Sequence, residues 1–294
     1  MKIENISNII CFGETLWDVF PDSQKPGGAP LNVAVHLQRF GYVPGMISKI
    51  GKDNLGKGLL DFMKNKGIPT DFIQEDHKHP TGVVNVEIEE SGDASYDIVF
   101  PSAWDFIQFP ENLTTDEFLL VFGSLASRNT PSKETLLKLL DKAKLALFDV
   151  NFRAPHYSMR LIQELLEKSD IIKLNEDEVE IIGNWLNLKD VPTEKICKKL
   201  TDQYKLDQII ITLGSRGAMV YKDEQAYRHG GFKVKVVDTV GSGDSFLASY
   251  LAHYLKGFSI DDCLDMACAT GAYVATQNGA VPDYTYMDLQ QIKT

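Results

Sequence analysis

The chain of 294 residues contains no apolar run near the roughly 18 residues that a membrane span requires. Its opening, MKIENISNIICFGE, has neither a long apolar stretch nor a small-residue cleavage site, so no export signal is expected there. Cysteine is scarce. Cys11, Cys197, Cys263 and Cys268 are the four present, and they stand in no zinc-like spacing. Reduced thiols packed in the core of a cytoplasmic protein are the expectation. Basic charge is also in deficit: 30 Lys and Arg against 41 Asp and Glu leave a net charge of −11. Nothing supplies the broad basic surface that a nucleic-acid backbone demands. A small phosphorylated ligand needs only local donors and Mg²⁺, and stays open. Repeats and low-complexity tracts are absent, and 44% hydrophobic with 24% charged residues is ordinary for a globular protein.

What is present alternates. Apolar, β-rich runs at 8–12, 46–50, 118–122, 145–150, 170–174 and 208–213 are separated by helical patterns, among them 30–40, 131–144, 176–186 and 193–204. Gly41 and Gly67 fall where helix C-caps belong. Strands separated by helices predict βαβ units and a mostly parallel sheet with helices on both faces. Two stretches break the rhythm. Residues 14–27 and 81–110 alternate polar and apolar positions, as with Val84, Val86 and Ile88, and predict a small half-buried β sheet acting as a lid. The division expected is a core of residues 1–13, 28–80 and 111–294 with a lid of 14–27 and 81–110.

Two glycine-rich stretches invite misreading. Gly51-Lys-Asp-Asn-Leu-Gly56-Lys57-Gly58 nearly matches a P-loop, but its last position lacks the Ser or Thr hydroxyl that ligates Mg²⁺. Gly241-Ser242-Gly243-Asp244 lacks the third glycine of a dinucleotide fingerprint, which removes the main support for hydride transfer. It does run into a helical pattern, with Phe246, Leu247, Tyr250, Leu251 and Tyr254 on one spacing and Gly257 to stop it. Amides opening a helix have no intrahelical partner and lie at the positive end of its dipole, so this start suits an anion. Asp244, in the first turn, can take a hydroxyl proton during phosphoryl transfer. The plain alternative is a helix-capping carboxylate.

The wider chain favours the chemical reading. Asp238-Thr239-Val240-Gly241-Ser242-Gly243-Asp244 resembles the second signature of the PfkB, or ribokinase-like, carbohydrate kinases, and Gly51–Gly56 resembles the first. Gly13-Glu14-Thr15-Leu16-Trp17-Asp18 and Gly27-Gly28-Ala29-Pro30-Leu31-Asn32 are similar to the family's sugar-binding segments. Asn175-Glu176-Asp177-Glu178 matches its N-x-x-E motif, and Thr212–Gly217 its T-x-G-x-x-G. Gly-Glu-x-Leu-x-Asp followed by Gly-Gly-Ala-Pro-x-Asn, with Asp149-Val150-Asn151-Phe152-Arg153, is most like the fructokinase branch.

The resemblance implies a ribokinase-like α/β fold and direct transfer of the ATP γ-phosphoryl group to a sugar hydroxyl, and its fructokinase branch implies fructose as the acceptor. Ribose, 2-keto-3-deoxygluconate or a nucleoside are alternative acceptors, and a non-catalytic sugar- and nucleotide-binding regulator is the alternative of another class. Asp244 would be the base and Gly241, Ser242 and Gly243 the anion hole. Asp18, Gly27, Gly28, Asn32 and Arg153 would hold the sugar. An ionised Asp18 accepts from hydroxyls, while Asn32 both donates and accepts. Asn175 and Glu178 would organise Mg²⁺ through water, with Thr212, Gly214, Gly217 and Cys268 along the nucleotide. Cys268 stands where the family often presents an asparagine, and a thiol lacks the amide's donor and acceptor pair. Asp238, the backbone of Val240 and Gly279 in the 277–283 loop would hold a monovalent cation such as K⁺. Lid strands leave open edges, so a homodimer through the lid is expected.

Overall fold

The computed structural model describes residues 6, 8–88, 94–115 and 117–293; positions 89–93 of the lid segment lie outside them. β1 (Asn8–Phe12) starts the core, and β2 (Leu16–Phe20) and β3 (Ser23–Gly27) leave it before α1 (Ala29–Arg39) and β4 (Gly45–Gly51) return. Next come α2 (Asn54–Asn65), β5 (Ile73–Asp76), β6 (Gly82–Ile88) and β7 (Ala94–Ile98). β8 (Phe118–Gly123), α3 (Thr130–Leu140), β9 (Leu145–Asp149), α4 (Met159–Leu166) and β10 (Ile171–Asn175) continue the alternation. α5 (Glu176–Trp185), α6 (Thr193–Tyr204) and β11 (Gln208–Thr212) precede an antiparallel pair, β12 (Ala218–Lys222) and β13 (Gln225–His229). α7 (Ser242–Leu255), α8 (Ile260–Ala275) and α9 (Tyr286–Ile292) close the chain.

The larger sheet has the order β13-β12-β11-β10-β9-β8-β1-β4-β5 and is parallel except at its β12–β13 edge. Successive residues of each strand feed opposite faces, as the pleat requires. Ile10, Phe12, Leu120 and Phe122 pack with α3, α4, α5 and α6. Ile9, Cys11, Leu119 and Val121 pack with α1, α2, α7 and α8. β8 and β9 are buried throughout, because both faces are covered.

The second sheet has the order β3-β2-β6-β7 and contributes Leu16, Val84, Val86 and Ile98 to the first of those clusters. The glycine-rich 51–58 stretch anchors it. Asp53 caps α2 through Gly56 N at 2.8 Å and accepts from the Thr81 hydroxyl at 2.7 Å and the Thr81 amide at 2.9 Å. Trp17 Nε1 donates to Leu55 O at 2.9 Å, so β2 is tied to the same helix start. A stretch that resembles a phosphate loop is thus the joint between the two sheets.

The chain steps from β1 to β4 on one side and later to β8 on the other. At such a reversal the loops after the strands part and leave a crevice.

Candidate active site

Asp244 lies in the first turn of α7, preceded by Gly241 at φ 76°. A Cβ on Gly241 would come within 2.5 Å of the Ala280 Cα and carbonyl oxygen, so glycine alone permits this approach. The amides of Gly243 and Asp244 fall where a helix offers no carbonyl four residues back. The Ser242 amide instead donates to Thr239 O at 3.2 Å, and its hydroxyl donates to Gly271 O at 2.9 Å, joining α7 to α8. Burial pushes the Asp244 carboxyl up to about 6; nearby Asp149 adds to this, while the Asn32 hydrogen bond, Lys173 and Arg153 oppose it.

Under the helix start lies a buried ion pair. Lys173 Nζ donates to Asp149 Oδ1 at 2.8 Å and Oδ2 at 3.0 Å, and a Cβ on Gly243 would sit 3.5 Å from that ammonium. Burial works against the charged amine, yet Asp149, Glu178 and Asp244 hold its pKa above the ordinary lysine value. Asn175 and Glu178 form a capping box at the start of α5: Glu178 N donates to Asn175 Oδ1 at 2.9 Å and Asn175 N to Glu178 Oε2 at 2.8 Å. The other Glu178 oxygen accepts from Phe152 N at 2.8 Å, which pins the loop after β9. Burial raises the Glu178 pKa and Lys173 lowers it.

β2 and β3 supply the opposite wall. A Cβ on Gly27 would fall 2.3 Å from Asp18 Oδ2, and one on Gly28, at φ 111°, would fall 2.3 Å from Glu14 O. Burial raises Asp18 to about 6, against the attraction of Arg153 and Lys25 and with repulsion from Asp244. Asp18 thus feels the charges of both Arg153 and Asp244. Arg153 Nη1 donates to Phe152 O at 3.0 Å. Glu14 is buried, accepts from Ala29 N at 3.3 Å through Oε1 and leaves Oε2 unpartnered; burial takes its pKa to about 7.

Beyond α7 opens a cavity of about 840 Å³, within the range of small-molecule sites. Asn175, Thr212, Gly214, Gly217, Gly243 and Cys268 are among its lining residues. Glu178 is not one of them; it sits beneath the wall with each carboxylate oxygen accepting a backbone N–H. Gly217, at φ 84°, lies so near β13 that a Cβ would be 2.0 Å from His229 O. Asp238, Val240 and Gly279 make a separate knot, with Asp238 accepting from Val240 N and Gly279 N at 3.0 Å each.

Sequence reasoning passed over Lys173 and Lys25, and named Glu14 only as a position of the Gly13–Asp18 segment, with no role of its own. Lys173 carries a signal, a lone charge inside the apolar strand Ile-Ile-Lys-Leu. Lys25 carries none, because only the packing of β3 over the core brings it to Asp238.

Residues 3–285 match the pfkB family of carbohydrate kinases, and the chain belongs to that family. It is a phosphotransferase that acts on a sugar hydroxyl. The chain is 29% identical to a fructokinase of Escherichia coli over 92% of its own length and 93% of the relative's. A sugar kinase from Pyrococcus horikoshii, solved in complex with ATP, is similar at 26% identity and a TM-score of 0.82 over 97% and 99% of the two chains. A Vibrio cholerae fructokinase, solved with fructose, ADP and a potassium ion, has the same fold, with a TM-score of 0.85 at 23% identity over 98% of each chain. Among the described residues no helix is long and apolar enough to cross a membrane.

Proposed function

We propose that this sugar kinase is a fructokinase that transfers the γ-phosphoryl group of ATP to a fructose hydroxyl, with Asp244 as the base. The carrying observation is Asp244 itself: half-buried, held by Asn32 and set beside the bare amides that open α7. Fructose as acceptor draws on the E. coli relative, and ATP as donor on the Pyrococcus neighbour and the size of the cavity.

Asp18 and Asn32 orient the sugar, and the Asn32–Asp244 bond turns a carboxylate oxygen toward the acceptor hydroxyl. Asp244 takes the hydroxyl proton as the oxygen attacks phosphorus in line. The amides of Gly243 and Asp244, with Arg153, stabilise charge on the transferring group, so positioning and electrostatics do most of the work. The second sheet acts as a lid that excludes water, whose attack would waste ATP. Asp149, Glu178 and Asp244 outnumber Lys173 beneath the phosphate site, an excess of negative charge that suits Mg²⁺ arriving with the nucleotide. Mg²⁺, when bound, supplies a Lewis acid for the phosphoryl oxygens. Four buried, unpaired cysteines support a reducing cytoplasm as the working compartment. The open edges β3 and β7, with Tyr96 exposed on the latter, support a dimer through the lid.

A panel of fructose, ribose, 2-keto-3-deoxygluconate and nucleosides in a coupled ADP-release assay tests the substrate. Fructose should give the highest kcat/KM. Strong turnover of another acceptor with none on fructose would reject it.

A further inference from the structure

We propose that Lys25 supplies the phosphate-binding loop with a built-in cation, at the place where the family resemblance puts a monovalent metal ion, so that nucleotide binding by this chain needs no added potassium. The proposal rests on the reading that residues 238–244 receive the nucleotide phosphates.

Lys25 pairs directly with Asp18 across β2 and β3, so both side chains leave the sheet on the face turned to the crevice. Its ammonium reaches 3.9 Å from Asp238 Oδ2. Its stem runs over Gly279, where an added Cβ would meet Lys25 Cδ at 3.3 Å and Nζ at 3.6 Å. Position 279, at φ 83°, favours glycine on backbone grounds, and its missing side chain leaves the lysine stem room to lie close.

The one side chain expected to hold a metal is already in use. Each Asp238 oxygen accepts a backbone N–H, from Val240 and from Gly279, and the Lys25 ammonium faces the same carboxylate. The Ala280 carbonyl, next in the loop, already lies 2.9 Å from His36 Nε2. The loop's one carboxylate thus already faces a positive charge from within the chain, and the lysine stem occupies the space over Gly279.

The balance matters because Asp238 stands five residues before Gly243, the first of the amides offered to phosphate. Left alone, its negative charge would oppose an incoming anion. Lys25 offsets it, and does so from a strand of the second sheet, so the sugar-side wall completes the phosphate site.

ADP binding by calorimetry tests this, comparing potassium chloride with tetramethylammonium chloride at equal ionic strength. The unaltered chain should bind ADP equally in both. Lys25→Met should bind about tenfold more weakly in tetramethylammonium and recover in potassium, whereas Lys25→Arg should behave as the unaltered chain. Potassium-dependent binding by the unaltered chain, or an equal effect of Lys25→Met in both salts, would overturn the proposal. Absence of ADP binding in either salt would overturn the nucleotide reading beneath it as well.

Discussion

Asn32 Nδ2 donates to Asp244 Oδ2 at 2.8 Å, joining two residues 212 positions apart in the chain. One stands near the start of α1 and the other in the first turn of α7, and both helices pack on the same face of the sheet. The bond lowers the carboxyl pKa while burial raises it, and the balance near 6 leaves Asp244 ionised and weakly basic at neutral pH.

Asp244→Asn should therefore lower kcat by roughly 10²–10⁴-fold while ADP binding survives. The same change removes a buried charge, so at neutral pH the variant should be more stable, by on the order of 1–3 kcal/mol. Steady-state kinetics and urea unfolding read the two effects separately. An unaltered kcat would remove Asp244 from its role.

Activity should also report two carboxylates. Asp18 and Asp244 are both raised to about 6 and both act ionised, so log kcat/KM should fall below that pH with a slope approaching about two. Stability runs the other way. With the folded pKa above the unfolded value, these groups stabilise the fold fully below about 4, and that contribution is lost as pH rises through about 6. A pH–rate profile set against Tm measured over the same range checks both signs.

Gly27→Ala would place a methyl group 2.3 Å from Asp18 Oδ2 and force the carboxylate aside. The KM for sugar should rise about 10–100-fold, the worth of a charged hydrogen bond, with ADP affinity unchanged. An unchanged KM would show that Asp18 does not hold the sugar.

Lys173→Met leaves Asp149 buried without its partner and should cost about 3–5 kcal/mol in urea unfolding. Adding Asp149→Asn should recover much of that loss, because the stranded charge is gone. A double variant no more stable than the single one would contradict the pairing.

The parallel core was legible because its strands are buried on both faces and read as apolar runs between turns; the run expected at 8–12 is β1 itself. The β12–β13 edge was not. Its turn, Asp223-Glu224, has both residues at positive φ without the Asn-Gly pair that signals such a hairpin, and the β13 strand is largely exposed. The helix expected to open at the Gly-Ser-Gly stretch begins at Ser242, since Gly241 adopts the left-handed conformation that turns the chain into it.

By itself the sequence determined the α/β alternation, the glycine-opened helix and the family motifs, because periodicity and local backbone freedom are written in neighbouring residues. Only the tertiary structure decided that Lys173 lies under Gly243, that Glu14 is buried at the crevice, and that Lys25 reaches Asp238. Those relations join charges from distant segments, and their energies depend on burial and distance, which no local pattern encodes.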